Sequence, residues 1–239
     1  MDSLSVLIVE DEPQARRLLR ISLIAHGLEV SDVRSGEEAL IQLRGESPSV
    51  ILLDLKMPGL GGMETCRIIR QRSEVPIIAM SEARTEQEVV EAFKAGADDY
   101  IVKPTPIGEM IARIQAASRR PCLGFRSHLL SLETVEIDLE TREVKRDGHS
   151  EHLTAKEFQV LHFLLLHEGQ LVSHRRLLQA AWGPDYGEEV QYLRVFINQL
   201  RKKIEPVPSN PRHILTEPST GYRFVRYSNG DCNGAKAAL

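Results

Sequence analysis

Cysteine is scarce in this chain: Cys66, Cys122 and Cys232 are the only three in 239 residues. They stand far apart, with no C-x-x-C spacing and no histidine at finger distance. That pattern excludes a zinc finger and a disulfide framework, and it points to reduced thiols in a cytoplasmic protein. Long apolar runs are missing too. None approaches the roughly 20 residues that a membrane span requires, so no membrane partner is expected. The opening Met-Asp-Ser-Leu-Ser lacks the basic start of a signal peptide.

The bulk composition, 42% hydrophobic and 27% charged, is that of an ordinary soluble globular protein. The length suits two domains. A formal net charge of −4 conceals an asymmetry: residues 1–120 carry 15 basic and 19 acidic residues, and residues 121–239 carry 15 of each. Between 190 and 226, seven basic residues stand against Glu205 and Glu217 alone. An acidic first half and a late basic patch suggest separate tasks, the later one on nucleic acid.

The most informative stretch is Val50-Ile-Leu-Leu-Asp-Leu-Lys-Met-Pro58. A short apolar run bounded by turn residues suits a strand buried on both faces, at the centre of a parallel sheet. Around it, strand and helix alternate five times. Strands are expected at Ser5–Val9, 28–33, 50–54, 75–80 and 98–102. Helices are expected from Pro13 to about Ala25, through Ala39 and Leu43, over 62–72, 86–94 and 107–117. Ser35 with Glu38 reads as a capping box, and Gly27 and Gly96 as helix stops. Such alternation makes a doubly wound five-stranded parallel sheet.

Glu10 and Asp11 follow the first strand, Asp54 ends the third, Ser81 the fourth and Lys103 the fifth. In a parallel sheet these ends share one edge. Three carboxylates, a hydroxyl and an ammonium would therefore meet in a single cleft. Acids so crowded repel unless a hard cation such as Mg²⁺ binds. An aspartate beside a metal can attack a phosphoryl group, with metal and lysine neutralising the equatorial oxygens. A strand-end hydroxyl can then turn to the new phosphate and make a local event conformational. Taken singly, each residue has a plainer role: a capping Asp or Ser, a solvated Lys, a half-buried Tyr100. Only the joint placement argues for chemistry.

Glu10-Asp11, Asp54, Ser81 and Lys103-Pro104, with Ala95-Gly-Ala-Asp-Asp-Tyr100, resemble a response-regulator receiver domain over residues 4–120. The resemblance implies Asp54 as phospho-acceptor and a sensor histidine kinase as partner. It implies Mg²⁺ held by Asp11, Asp54 and the Lys56 carbonyl, with Glu10 acting through water. Ser81 and Tyr100 become a switch pair, and Lys103 contacts the phosphate next to a cis bond to Pro104. It also implies a homodimer through the fourth and fifth helices and fifth strand, using Val90, Phe93, Asp99, Glu109, Ala112 and Arg113. Two departures stand out. Thr105 replaces the usual Phe after Lys-Pro, and Val89 occupies the position of Glu109's basic partner. Loss of one exposed pair costs up to about 1 kcal/mol, leaving dimerisation either weaker or more dependent on Val90, Phe93 and Ala112.

Residues 121–128 read as a linker, 129–227 as a second domain and 228–239 as a disordered tail. From Leu132 to Leu153 the pattern is β-rich, with a turn at Arg146-Asp-Gly148. Thr154 with Glu157 is a second capping box, opening a helix to about His167; Ser173 caps another through Trp182. In the helix over 189–205, Leu193, Ile197, Leu200 and Ile204 share one face. Gln191, Arg194, Asn198, Arg201 and Lys202 point mainly the other way, which suits base and phosphate contacts. A hairpin at 214–225 completes an α+β winged helix-turn-helix.

Leu153-Thr-x-x-Glu-Phe158, Trp182-Gly183, Leu200-Arg201 and Gly221-Tyr-x-Phe224 resemble the effector domain of the OmpR/PhoB family. The runs Tyr192-Leu-Arg194, Pro211-Arg-His213 and Thr216-Glu217 are similar to the potassium-transport regulators within it. In the wing, Pro218 and Ser219 stand where an arginine and a glycine are usual, leaving Arg223 as a weak substitute for the groove contact. The implied function is phosphorylation-controlled binding of double-stranded promoter DNA. The loop 183–188 offers a contact to RNA polymerase, and no enzyme activity is expected. Two rivals remain: a DNA binder that needs no phosphate, suggested by Val89 and Thr105, and a Mg²⁺ phosphohydrolase. The attached DNA-binding unit and the lack of a further catalytic acid speak against the latter.

Overall fold

Each apolar run of the first half is short, and each is followed by an amphipathic segment. In the computed structural model, which describes residues 4–83, 85–118 and 129–226, these become β1 (Ser5–Val9), α1 (Pro13–Ala25), β2 (Glu29–Val33), α2 (Gly36–Gln42) and β3 (Val50–Asp54). Then follow α3 (Gly62–Arg70), β4 (Ile77–Ser81), α4 (Glu86–Ala95), β5 (Asp99–Val102) and α5 (Ile107–Ser118). The chain divides into two compact units, Met1–Arg120 and Pro121–Leu239. The expected linker 121–128, the tail 228–239, Cys122 and Cys232 lie outside the described residues.

The first unit is a five-stranded parallel sheet in the order β2-β1-β3-β4-β5. β3 is central and every residue in it is buried. Val6, Ile8, Leu52, Ile78, Met80 and Ile114 are among the residues of one core cluster on a face of the sheet. Full burial of such aliphatic side chains stabilises by about 1.5–3 kcal/mol each. Register then fixes the functional edge. Val9 pairs with Leu53, and Ser81 with Val102. Glu10 and Asp54 are therefore level on neighbouring strands, and Lys103 emerges beside Ser81. α3 starts against the end of β3: a Cβ on Gly62 would lie 2.0 Å from the carbonyl oxygen of Asp54. Only glycine permits that approach.

Helix ends depart from expectation in detail. Ser35 accepts from the Glu38 backbone, but the Glu38 side chain turns to Arg34, so the first capping box is half made. The Glu38 carboxylate takes the Arg34 backbone N–H at 3.1 Å and the charged Arg34 Nε at 2.7 Å in place of the Ser35 N–H. α3 stops at Arg70, two residues earlier than expected.

The second unit contains β6 (Leu129–Ser131), β7 (Glu136–Asp138), β8 (Glu143–Arg146), β9 (His149–His152), α6 (Ala155–Leu166) and β10 (Leu171–Ser173). α7 (His174–Trp182), α8 (Val190–Ile204), β11 (Ile214–Glu217) and β12 (Gly221–Phe224) complete it. The order β6-β7-β8-β9 forms an antiparallel sheet, and β10-β12-β11 forms the wing. Asp147 and Gly148, both at positive φ, make the two-residue turn between β8 and β9. Thr154 and Glu157 close a full capping box on α6. Two strands escaped the sequence pattern, β6 and β10. Each has three residues, too few to show alternation, and tertiary pairing makes them strands: Val172 pairs with Tyr222.

Candidate functional site

Lys103 Nζ lies 2.6 Å from Glu10 Oε2 and 2.7 Å from Asp54 Oδ2. The other Asp54 oxygen, Oδ1, accepts the backbone N–H of Lys56 at 2.9 Å. Glu10 and Asp54 are buried, whereas Asp11 is half-exposed. One carboxylate oxygen from each of Glu10, Asp11 and Asp54 falls within 4.8 Å of the others. Arg16 braces this edge, donating through Nη1 to the carbonyls of Glu10 and Asp11. The Lys103-Pro104 bond is cis.

Electrostatics follow from crowding. Burial raises Glu10 above the usual carboxylate range and the Asp54 charge adds to this, against the opposing bond from Lys103. Burial pulls Lys103 down, but its bonds to Asp54 and Glu10 outweigh it and the net shift is upward. One ammonium thus faces two acids, with a third nearby. This oxygen-rich, net-negative pocket fits a hard divalent cation, and its buried aspartate is placed to act as a nucleophile toward an electrophilic phosphorus.

The hydroxyl at the end of β4 is engaged. Ser81 Oγ donates to Glu88 Oε1 at 2.6 Å and accepts the Ala83 backbone N–H at 3.2 Å. Tyr100 OH donates to the Ala83 carbonyl at 2.9 Å and lies 3.4 Å from the same Glu88 oxygen. Burial raises the Tyr100 hydroxyl, and the Glu88 charge reinforces this against the opposing effect of Ser81. Sequence reading missed Glu88 entirely. Its signal was present: Thr85-x-x-Glu88 has capping-box spacing.

The α4-β5-α5 face requires two corrections. Phe93, expected at a dimer surface, is 0% exposed and belongs to the core, as its helix turns Val89, Ala92 and Phe93 inward. Val89, at 3% exposure, is no surface position for a missing charge. Val90 is half-buried and Ala112 exposed. Arg113 pairs within the chain, with Asp99 at 3.3 Å and Glu109 at 2.7 Å.

On α8, Leu193, Ile197, Leu200 and Ile204 are buried as the period requires. Arg194, Asn198 and Lys202 are exposed at successive i, i+4 positions, and Gln191 is half-buried. Two expected DNA contacts are otherwise occupied. Arg201 donates to the Ile214 carbonyl through Nε and Nη2, and to Thr216 Oγ1. Arg223 pairs with Glu217 across the hairpin at 2.9 Å. Both arginines sit against the wing, where the Ile214 carbonyl, the Thr216 hydroxyl and the Glu217 carboxylate take their donors. His174, not singled out from sequence, stands edge-on to Tyr222 at 5.5 Å. Its burial, with the Arg194 charge, lowers its basicity.

Among the described residues, no helix is long and apolar enough to cross a membrane. Cys66 is a free, buried thiol.

Residues 6–115 match the family described as response regulator receiver domain, and residues 148–224 match transcriptional regulatory protein, C terminal. The chain is 40% identical over 222 residues to the KDP operon transcriptional regulatory protein KdpE of Escherichia coli, covering 92% of this chain and 99% of that one. It is 38% identical over 221 residues to the transcriptional regulatory protein KdpE of Mycobacterium tuberculosis, covering 92% and 98%. The solved structure of DrrB, a Thermotoga maritima OmpR/PhoB homologue, is similar at 28% identity and a TM-score of 0.50, covering 93% of this chain and 99% of DrrB. With both family matches in sequence and near-complete coverage of its relatives, the chain belongs to the OmpR/PhoB-type response regulators, close to KdpE: a receiver domain followed by a DNA-binding domain, in a transcription regulator.

Proposed function

We propose that Asp54 accepts a phosphoryl group from a sensor histidine kinase and that the acyl phosphate controls promoter binding. The single observation that carries this reading is the Lys103 ammonium bridging Asp54 and Glu10 at 2.7 and 2.6 Å. The bridge holds a carboxylate oriented and leaves a cation beside the atoms that a phosphoryl group would bring. Asp11, Asp54 and the Lys56 carbonyl would hold Mg²⁺, with Glu10 acting through water; the three carboxylates within 4.8 Å support this donor set. When bound, the metal supplies charge neutralisation for phosphoryl transfer. Asp54 is the nucleophile, and Lys103 stabilises the incoming oxygens. Ser81 donates to the new phosphate and Tyr100 follows.

The output is dimerisation through the α4-β5-α5 face, with Val90, Asp99, Glu109, Ala112 and Arg113 and without Phe93. Two winged-helix domains then bind tandem half-sites. Arg194 and Asn198 read bases, Lys202 contacts phosphate and Gln191 assists at the first turn. Loop 183–188 touches RNA polymerase. The site of action is the cytoplasm, at a kdp-type operon for potassium transport. The domains run 1–120 and 129–227.

The phosphate-independent alternative leaned on Thr105 and on Val89 as a lost surface charge. Val89 is buried, which removes that half of the support and leaves Thr105.

The test is Mg²⁺-dependent acyl-phosphate formation from phosphoramidate, read by intact mass. Wild type is expected to gain one phosphoryl group and Asp54→Ala none. Undiminished labelling of Asp54→Ala would refute the site, and equal operator affinity with and without phosphodonor would refute the control.

A further inference from the structure

Thr85-x-x-Glu88 at the start of α4 has the same capping-box spacing as Thr154-x-x-Glu157 at the start of α6. At α6 both halves are made. Glu157 N–H donates to Thr154 Oγ1 at 3.2 Å, and Glu157 Oε2 accepts the Thr154 backbone N–H at 2.8 Å. At α4 the first half is present, with Glu88 N–H donating to Thr85 Oγ1 at 3.4 Å. The Glu88 carboxylate, however, is turned inward. It accepts the Ser81 hydroxyl at 2.6 Å and lies 3.4 Å from Tyr100 OH. One carboxylate therefore has two destinations, and the sequence spacing favours the one it does not occupy.

Proton count makes the two exclusive. A serine hydroxyl carries one proton. While Ser81 donates to Glu88 it cannot donate to an oxygen on Asp54. The bond is short and charge-assisted, hence about twice as strong as a neutral one. Ser81 also follows the β4 residue, Met80, that pairs with Asp54 across the sheet. Added negative charge on Asp54 repels the Glu88 carboxylate as it attracts the Ser81 proton.

We propose that Glu88 is a positioning residue that restrains the switch and carries its output. In the resting chain it holds the Ser81 proton away from Asp54. When Ser81 donates to a phosphoryl oxygen, the freed carboxylate turns to the Thr85 backbone N–H and closes the capping box. The first turn of α4 is thereby tightened, and α4 belongs to the face assigned above to dimerisation. The device is bistable because each state satisfies the carboxylate with a different donor. It rests on the reading of Asp54 as phospho-acceptor.

The experiment uses the full chain with Mg²⁺ and beryllofluoride, a noncovalent mimic of a phosphoryl group on a carboxylate. Glu88→Ala is expected to bind it roughly ten- to hundredfold more tightly, the range for losing one competing charge-assisted hydrogen bond. In a Ser81→Ala background the gain from the same substitution is expected to shrink to the direct charge repulsion alone, since the hydrogen-bonded restraint acts through that hydroxyl. Glu88→Gln, a neutral acceptor, is expected to fall between. Amide exchange supplies a second readout. Beryllofluoride is expected to protect the Thr85 amide in wild type and not in Glu88→Ala.

Unchanged or weaker binding by both Glu88 variants, or a Thr85 amide indifferent to beryllofluoride in wild type, would overturn the proposal. If wild type neither binds beryllofluoride nor forms an acyl phosphate, the Asp54 reading fails first and takes this inference with it.

Discussion

Arg201 Nη2 donates to the carbonyl oxygen of Ile214 at 2.6 Å, binding the last turns of α8 to the first residue of β11. Nε and Thr216 Oγ1 complete the contact. A residue with the character of a phosphate contact is thus a fastener of the wing. Arg201→Ala is expected to lower unfolding free energy by about 1–3 kcal/mol, measured by urea denaturation. Arg194→Ala and Asn198→Ala are expected to leave stability within about 0.5 kcal/mol and weaken specific DNA binding by about 1–3 kcal/mol. Lys202→Ala is expected to weaken all sequences alike and flatten the salt dependence. The reverse assignment of stability and binding effects would show that Arg201 faces DNA after all.

Lys103→Met removes the only cation bonded to both Asp54 and Glu10 among the described residues. Phosphotransfer to Asp54 from phosphoramidate is expected to slow by roughly two orders of magnitude, followed by intact mass. Without Mg²⁺ the variant is also expected to lose about 2–3 kcal/mol of stability. That is less than for a fully buried pair, because 26% of the lysine side chain meets water. The sign with pH follows from its raised basicity. The wild-type contribution is complete at neutral pH and is lost as pH climbs through the folded-state value, above the ordinary lysine range.

Phe93 and Ala112 separate core from surface on the α4-α5 side. Phe93→Ala deletes a fully buried ring and is expected to destabilise by about 3–5 kcal/mol, visible in thermal melts. Ala112→Glu, on an exposed helix position, is expected to leave the melt unchanged and weaken phosphorylation-dependent self-association in sedimentation experiments. A dimerisation defect from Phe93→Ala at full stability would return that ring to the interface.

Burial pushes the Cys66 thiol up to about 12. Native protein at pH 8 is therefore expected to resist alkylation at Cys66, with modification proceeding only through unfolding. Because the unfolded thiol ionises first, this group contributes falling stability as pH rises between the ordinary cysteine range and about 12. Rapid labelling of folded protein, located by peptide mass, would contradict the burial.

The parallel sheet and the acidic edge were legible in sequence because both depend on local order. Val50–Leu53 is apolar throughout and Asp54 ends it, so a buried strand delivering a carboxylate needed no other information. Strand ends on one edge then brought Glu10 and Lys103 to the same place. Glu88 was not legible. Its capping-box spacing announced a helix start, but its partner, Ser81, lies on the preceding strand at a distance only packing could set. Phe93 and Val89 failed for a related reason: an apolar residue near a helix surface reads alike whether it faces a core or a partner.

The order of residues alone determined that there would be a buried strand ending in Asp54, a rim of acids with one lysine, and a late basic helix. Periodicity and strand ends are properties of the chain itself. Tertiary structure decided how the charged and hydroxyl groups are spent. Arg201 and Arg223 are taken by the wing, Arg113 by Asp99 and Glu109, and Ser81 by Glu88. A side chain's donors go to whichever acceptors folding brings within about 3 Å, and most of those acceptors lie on a different helix or strand.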